Sequence, residues 1–184
     1  MTNHIDIGSV LKRTVCDLYS NLVTRPTGVA VRREIQNVIS SADAPCLTVI
    51  DFSQVGLLDF SCADEVIGKL LDEARRRAEG VETYFLVRGV RDHHLEAIEA
   101  VMERYGLAVI VETDEGNWHV VGLLDESMRR ALEVVLSLGS AEAEAIAAEL
   151  REPPERLEGC LDRLWRHGLV MRVDAGYVSL PSVL

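Results

Sequence analysis

Cys46-Leu47-Thr48-Val49-Ile50-Asp51-Phe52 is followed by Ser53-Gln54-Val55-Gly56-Leu57-Leu58 and then by Asp59-Phe60-Ser61-Cys62-Ala63-Asp64-Glu65. The first run is short, apolar and β-branched, and turn residues bound it, which predicts a strand buried on both faces. The middle run is a connection. In the third, Ser61 can cap a helix whose first turn holds Asp64 and Glu65. That helix is expected to stop at Glu79-Gly80, with Arg75, Arg76 and Arg77 in its last turns, where cations complement the helix dipole.

Working outward, Thr83-Tyr84-Phe85-Leu86-Val87 predicts a second strand, and Asp92 caps a helix reaching Tyr105-Gly106. Leu107–Glu112 predicts a third strand, and Asp114-Glu115-Gly116-Asn117 a turn into an edge strand at Trp118-His119-Val120-Val121. Upstream, Ile7, Val10, Leu11, Val15, Leu18 and Leu22 form the stripe of one amphipathic helix. Thr24-Arg25-Pro26-Thr27-Gly28 interrupts it, and Val29, Val31, Ile35, Val38 and Ile39 mark a second helix closing around 40–45. Apolar strands alternating with crossover-length helices call for a parallel or mixed sheet covered by helices, an α/β fold.

A second unit starts near Gly122. Asp125 precedes a helix through Met128, Ala131, Leu132 and Val135 that ends at Gly139, and Ser140 opens a short helix through Ile146 and Leu150. Pro153-Pro154 introduces a third helix with Leu157, Cys160, Leu161 and Leu164 on one face, stopping at His167-Gly168. Leu169–Val173, Asp174-Ala175-Gly176 and Tyr177–Leu180 then read as a β-hairpin. Three helices and a hairpin make a small α+β winged helix-turn-helix. The expected domains are 1–121, α/β, and 122–184, winged helix.

The 184 residues are 48% hydrophobic and 27% charged, with 19 Lys and Arg against 30 Asp and Glu, a net charge of −11. Such an acidic surface repels phosphate backbones. No run of about 18 apolar residues occurs, and Met1–Asp6 lacks a basic segment followed by an apolar one, so neither a membrane span nor a secretory signal is expected. Cys16, Cys46, Cys62 and Cys160 are scattered, with no CxxC and no histidine at ligand spacing, so neither a disulfide framework nor a metal site is expected. The expectation is a cytoplasmic protein without a cofactor. Nor does catalysis find its parts: G-x-S-x-G, H-E-x-x-H and a Walker lysine loop are all missing. His93-His94 lacks a visible third ligand, and both side chains are expected to face solvent from the first turn of their helix.

The order strand, loop, Asp59, Ser61, helix resembles the STAS domain of anti-sigma-factor antagonists, and Ser61-Cys62-Ala63-Asp64-Glu65 is similar to a STAS-like variant family reading Ser, Phe, Ala, Asp, Glu. The resemblance implies that Ser61 is a phosphoacceptor, with Asp59 beside it and Asp64 and Glu65 completing a switch surface. It also implies a kinase-like ATPase or a sigma-pathway protein as partner. A phosphate at Ser61 would meet free backbone N–H groups at the helix start and add about −1.5 to −2 charges to an acidic patch. The plainer reading is a serine N-cap, and both stay open here.

Thr24, Arg25, Thr27 and Gly28 also admit two readings: a loop that grips an anion, such as a phosphate on Ser61, or an ordinary helix start capped by Thr24 or Thr27. The last 60 or so residues resemble bacterial MarR- and ArsR-type winged helices through Ala145–Leu150, Leu161–Val170 and Tyr177–Leu180. That resemblance implies a recognition helix at about Pro154–His167. Arg156, Arg163, Arg166 and Arg172 could then contact DNA or a partner, beside Glu155 and Glu158. Residues 122–184 hold 11 acidic and 7 basic side chains, net −4, and residues 1–121 hold 19 and 12, net −7, so a basic stripe is missing. The sequence therefore reads as a non-enzymatic bacterial regulator, a Ser61 phospho-switch coupled to a winged helix for protein docking. The alternative is a DNA-binding regulator, acting as a homodimer, whose STAS-like half senses a partner or ligand.

Overall fold

The structure is a computed structural model, and it describes residues 2–15, 20–42, 45–76, 83–173 and 176–184. Cys16, Leu18, Arg77, the expected stop at Glu79-Gly80 and the turn at Asp174-Ala175 lie outside the described residues.

Five strands form the first sheet: β1 (Thr2–Asp6), β2 (Cys46–Asp51), β3 (Thr83–Val90), β4 (Ala108–Thr113) and β5 (Trp118–Gly122). They lie in chain order, parallel from β1 to β4, with β5 antiparallel on β4. Between them run α1 (Ile7–Thr14), α2 (Arg25–Ser40), a helix over 60–76 and α5 (Asp92–Tyr105). The 60–76 helix comprises α3 (Phe60–Ala63), a π-helical segment (Asp64–Lys69) and α4 (Leu70–Arg76).

Because strand order equals chain order, every right-handed crossover delivers its helix to the same face of the sheet. The core shows the consequence. Ile50, Phe85, Val87, Val109 and Val111 face α1, α2, the 60–76 helix and α5. The alternate residues Leu47, Val49, Tyr84, Leu86, Ala108 and Ile110 face the other way, into a second core.

The rest of the chain covers that second face. It comprises α6 (Glu126–Leu138), β6 (Ser140–Ala141), α7 (Ala143–Leu150), α8 (Pro154–Arg166), β7 (Val170–Val173), β8 (Gly176–Ser179) and a 3-10 turn (Leu180–Val183). The three short strands pair antiparallel in the order β6-β8-β7. Met128, Leu132, Val135, Leu161, Leu164 and Leu180 join the outer face of the large sheet in one buried cluster. Among the described residues, no helix is long and apolar enough to cross a membrane.

Several local expectations are corrected. Thr2–Asp6 is a strand where no element was expected, held by parallel pairing that sets Ile5 beside Ile50, although Ile5 alone in it is buried. The first helix ends at Thr14, so Leu22 is not on its stripe but bridges to Leu58. Asp59, not Ser61, caps the 60–76 helix, and Arg91, not Asp92, is the N-cap of α5. Ser140 opens a strand, and α7 begins after it.

Backbone contact requires glycine at position 89. Gly89, with φ at +65°, sits at the register shift between Val87 and Val90, and a Cβ there would lie 2.1 Å from Ser53 Oγ and 2.6 Å from Ser53 N. Gly89→Ala is expected to cost about 3 kcal/mol, combining left-handed strain with a clash against backbone. Urea unfolding measures it, and an unchanged midpoint refutes it.

Candidate functional site

The loop from Phe52 to Leu58 is fastened on three sides. The Phe52 N–H donates to Arg88 O (2.9 Å), Gly56 N–H to Ser20 O (2.7 Å), and Leu57 N–H to Asn21 Oδ1 (3.1 Å). From α5, His93 Nε2 lies 2.8 Å and His94 Nε2 3.4 Å from the Gly56 carbonyl, an acceptor to which an imidazole N–H donates. His94 is buried, contrary to the expectation that both histidines face solvent. Its Nδ1 accepts the Arg91 N–H (3.4 Å), and burial pushes its pKa below the ordinary histidine value.

Leu22 stitches the loop's exit, donating to Leu57 O (2.7 Å) and accepting from Asp59 N–H (2.8 Å). Asp59 then starts the helix. Its Oδ1 accepts the Cys62 N–H at 2.8 Å and the Ser61 hydroxyl at 2.9 Å. Ser61 is half-buried, and Leu57 (53% exposed) and Phe60 (39%) flank it with unburied apolar surface. The Cys62 thiol donates to Thr24 O, and burial, reinforced by Asp59, pushes its pKa up to about 12, so it is no nucleophile.

Asp64 and Glu65 do not form a switch surface: each is only 1% exposed. They sit in the π segment and are met by cations from three elements. Arg25 Nη1 bonds Asp64 Oδ2 (2.8 Å) and Glu65 Oε1 (2.7 Å), and Arg32 Nε bonds Glu65 Oε2 (3.2 Å). Lys69 pairs with Glu65, Tyr105 Oη donates to Asp64 Oδ1 (3.0 Å), and Arg104 lies 3.7 Å from the same oxygen. Burial alone would raise both carboxyl pKa values. The Arg25 guanidinium and Tyr105 hydroxyl at Asp64, and Lys69 and Arg25 at Glu65, outweigh it and hold both below the ordinary range.

The Thr24–Gly28 stretch thus serves as a helix start. Thr24 is the N-cap, its Oγ1 accepting from Thr27 N–H, and Pro26 lies in the first turn. Arg25 grips an internal pair of carboxylates. Gly28 permits close approach of α2, since a Cβ there would stand 3.1 Å from Cys62 Cα.

At its far end the 60–76 helix reaches α8. Arg75 Nη1 donates to Arg166 O (3.1 Å), one of the carbonyls a helix C-terminus leaves open, and burial lowers the Arg75 pKa to about 10. Trp165 Nε1 donates to Tyr84 Oη (3.1 Å) beside it. The remaining candidate cations are mostly engaged: Arg163 with Asp125 (2.6 Å), Arg166 with Asp162 (2.7 Å), and Arg172 over the Trp165 ring, while Arg156 is exposed. The cleft of about 390 Å3 between α8 and the hairpin is lined by Glu158, Asp162, Arg172 and Tyr177.

Sequence reasoning found Ser61, Asp59, Arg25 and the two acids, but missed Arg32, Arg75, Arg104 and Tyr105, which reach the site across helices. Only Lys69, four residues after Glu65, carried a local signal. No family model matches the chain, and no curated protein matches it significantly.

Proposed function

We propose that this chain is a non-enzymatic bacterial regulatory protein, in which a STAS-like half carries a phospho-switch at Ser61 and a winged-helix half docks a protein partner. The observation that carries the reading is the Ser61 hydroxyl donating to the Asp59 carboxylate that caps its own helix. Phosphorylation replaces that donor with a dianionic ester facing the same carboxylate, so attraction becomes repulsion. The cap at Cys62 N–H is then strained, and the exposed Leu57 and Phe60 surface beside it changes charge. A kinase-like ATPase or a sigma-pathway protein is the partner class the resemblance implies for this surface. The helix begun at Phe60 supports coupling, because its other end holds the last turn of α8 through Arg75.

The engaged arginines and the acids lining the α8 cleft favour protein docking over DNA for the C-terminal half. A test of both readings uses full-length wild type, Ser61→Ala and Ser61→Asp as baits in native-host lysate, with phosphorylation mapped by mass spectrometry. The expected result is phosphate on Ser61 and a partner kept by Ser61→Ala but weakened at least about tenfold by Ser61→Asp. Equal retention by both variants rejects the switch. A discrete DNA fragment retained by all three, its affinity falling steeply with salt, establishes the DNA-binding reading instead.

A further inference from the structure

We infer that the free edge of β5, with the groove beside it, docks an extended peptide in which apolar residues alternate with Lys or Arg. The hydrogen-bond phase of the β4–β5 pair sets which groups are free. Thr113 N–H donates to Asn117 O and Leu123 N–H to Leu107 O, both at 3.1 Å, so these positions form hydrogen-bonded pairs. Antiparallel pairing alternates, which makes His119 and Val121 the residues of β5 that exchange bonds with β4. The N–H and C=O of Trp118 and Val120 therefore point to the opposite side, where, among the described residues, the sheet ends.

Soluble proteins blunt such edges with lysine, proline or a bulge. The Trp-His-Val-Val-Gly strand has none of the three, and its register with β4 runs unbroken. Beside it lies a groove of about 610 Å3 between the strand and α5. Leu95, Val111 and Val121 provide its apolar part, and the exposed acids Asp92, Glu99 and Glu115 its rim. Arg91 also lines the groove, but it lies 3.6 Å from Asp114 and is paired there. His93 and His119 complete the polar lining.

An open strand edge recognises main chain, and a groove alongside takes every second side chain of the strand added to it. The apolar part suits valine-like side chains, and the acidic rim demands cations. A nucleic acid is repelled by the same acids. A second copy added edge to edge would bring Asp92, Glu99 and Glu115 near their own duplicates, and the repulsion disfavours that occupant.

The probe is a capped, alternating Val-Lys peptide, titrated into the full chain while the amide resonances of Trp118 and Val120 are followed. Saturable binding is expected, lost when alternate peptide nitrogens are methylated. In the chain, Val120→Pro removes an outward N–H that the β4 ladder does not use, so the fold is retained, and affinity should fall about five- to tenfold. Glu99→Lys with Glu115→Lys should weaken the Val-Lys peptide and favour a Val-Glu one. Four results overturn the inference: no saturable shift by about 1 mM, the weak end of specific affinities, equal binding of the methylated peptide, wild-type affinity in Val120→Pro, or dimerisation that Val120→Pro abolishes, which would put a second copy on the edge.

Discussion

A chain cut after Gly122 is expected to yield a molten, aggregating species instead of a free α/β domain. The cut uncovers the sheet face that no crossover helix can reach, because all of them pack on the opposite side. Leu47, Val49, Leu86 and Ile110 on that face are fully buried in the intact chain. At about 1.5 to 3 kcal/mol for each large aliphatic side chain, their exposure forfeits about 6 to 12 kcal/mol. A protein's whole stability is of order 5 to 15 kcal/mol, so little or nothing remains. The loss also takes away the Trp165–Tyr84 hydrogen bond and the Arg75–Arg166 contact. Near-ultraviolet circular dichroism and dye binding on residues 1–122 check it; a soluble monomer that unfolds cooperatively would show that the sheet stands without its cover.

The same arrangement explains what the sequence disclosed and what it withheld. Short, apolar, β-branched runs such as Cys46–Asp51 announced buried strands, and the mix of strands and helices announced α/β, because these signals lie within a few residues. Both faces of β2 are apolar, yet nothing local says that one face meets α2 and the other meets α6 and α8. Thr2–Asp6 stayed hidden for the related reason that its pairing with β2, across more than 40 residues, makes it a strand. At the site, Asp59 and Ser61 are two apart and could be read together. Asp64 and Glu65 looked like a solvated first turn, since helix-start acids usually are. Arg25 and Arg32 bury them by coming from α2, 39 and 33 positions away in their hydrogen bonds to Asp64 and Glu65. The cap assignment slipped for a smaller reason: Asp and Ser are equally good N-caps, and the backbone alone decides between residues two apart.

Replacing Arg32 and Lys69 together by Met is expected to cost about 3 kcal/mol at neutral pH, at the low end for breaking a buried ion pair because one cation remains. The Glu65 carboxylate would be left with Arg25, which it shares with Asp64. For a chain of this size the melting temperature should drop by about 6 to 12 °C. The pH dependence identifies the cause. In the wild type, Asp64 and Glu65 have folded pKa values below their unfolded ones, so they stabilise above the ordinary carboxylate range and that contribution is lost as pH falls through their folded values. His94 and His167 act in the same direction at higher pH: burial lowers both, so their contribution is complete above about pH 6.5 and is lost on acidification. In the double variant the stripped Glu65 can take up a proton, so its deficit against wild type should shrink as pH approaches about 4. Adding Glu65→Gln to the pair removes the buried charge and should recover part of the loss at pH 7. A deficit that is flat with pH and unmoved by Glu65→Gln would assign the damage to lost packing of the long aliphatic stems, and the charge cluster would then have no part in holding the 60–76 helix against α2.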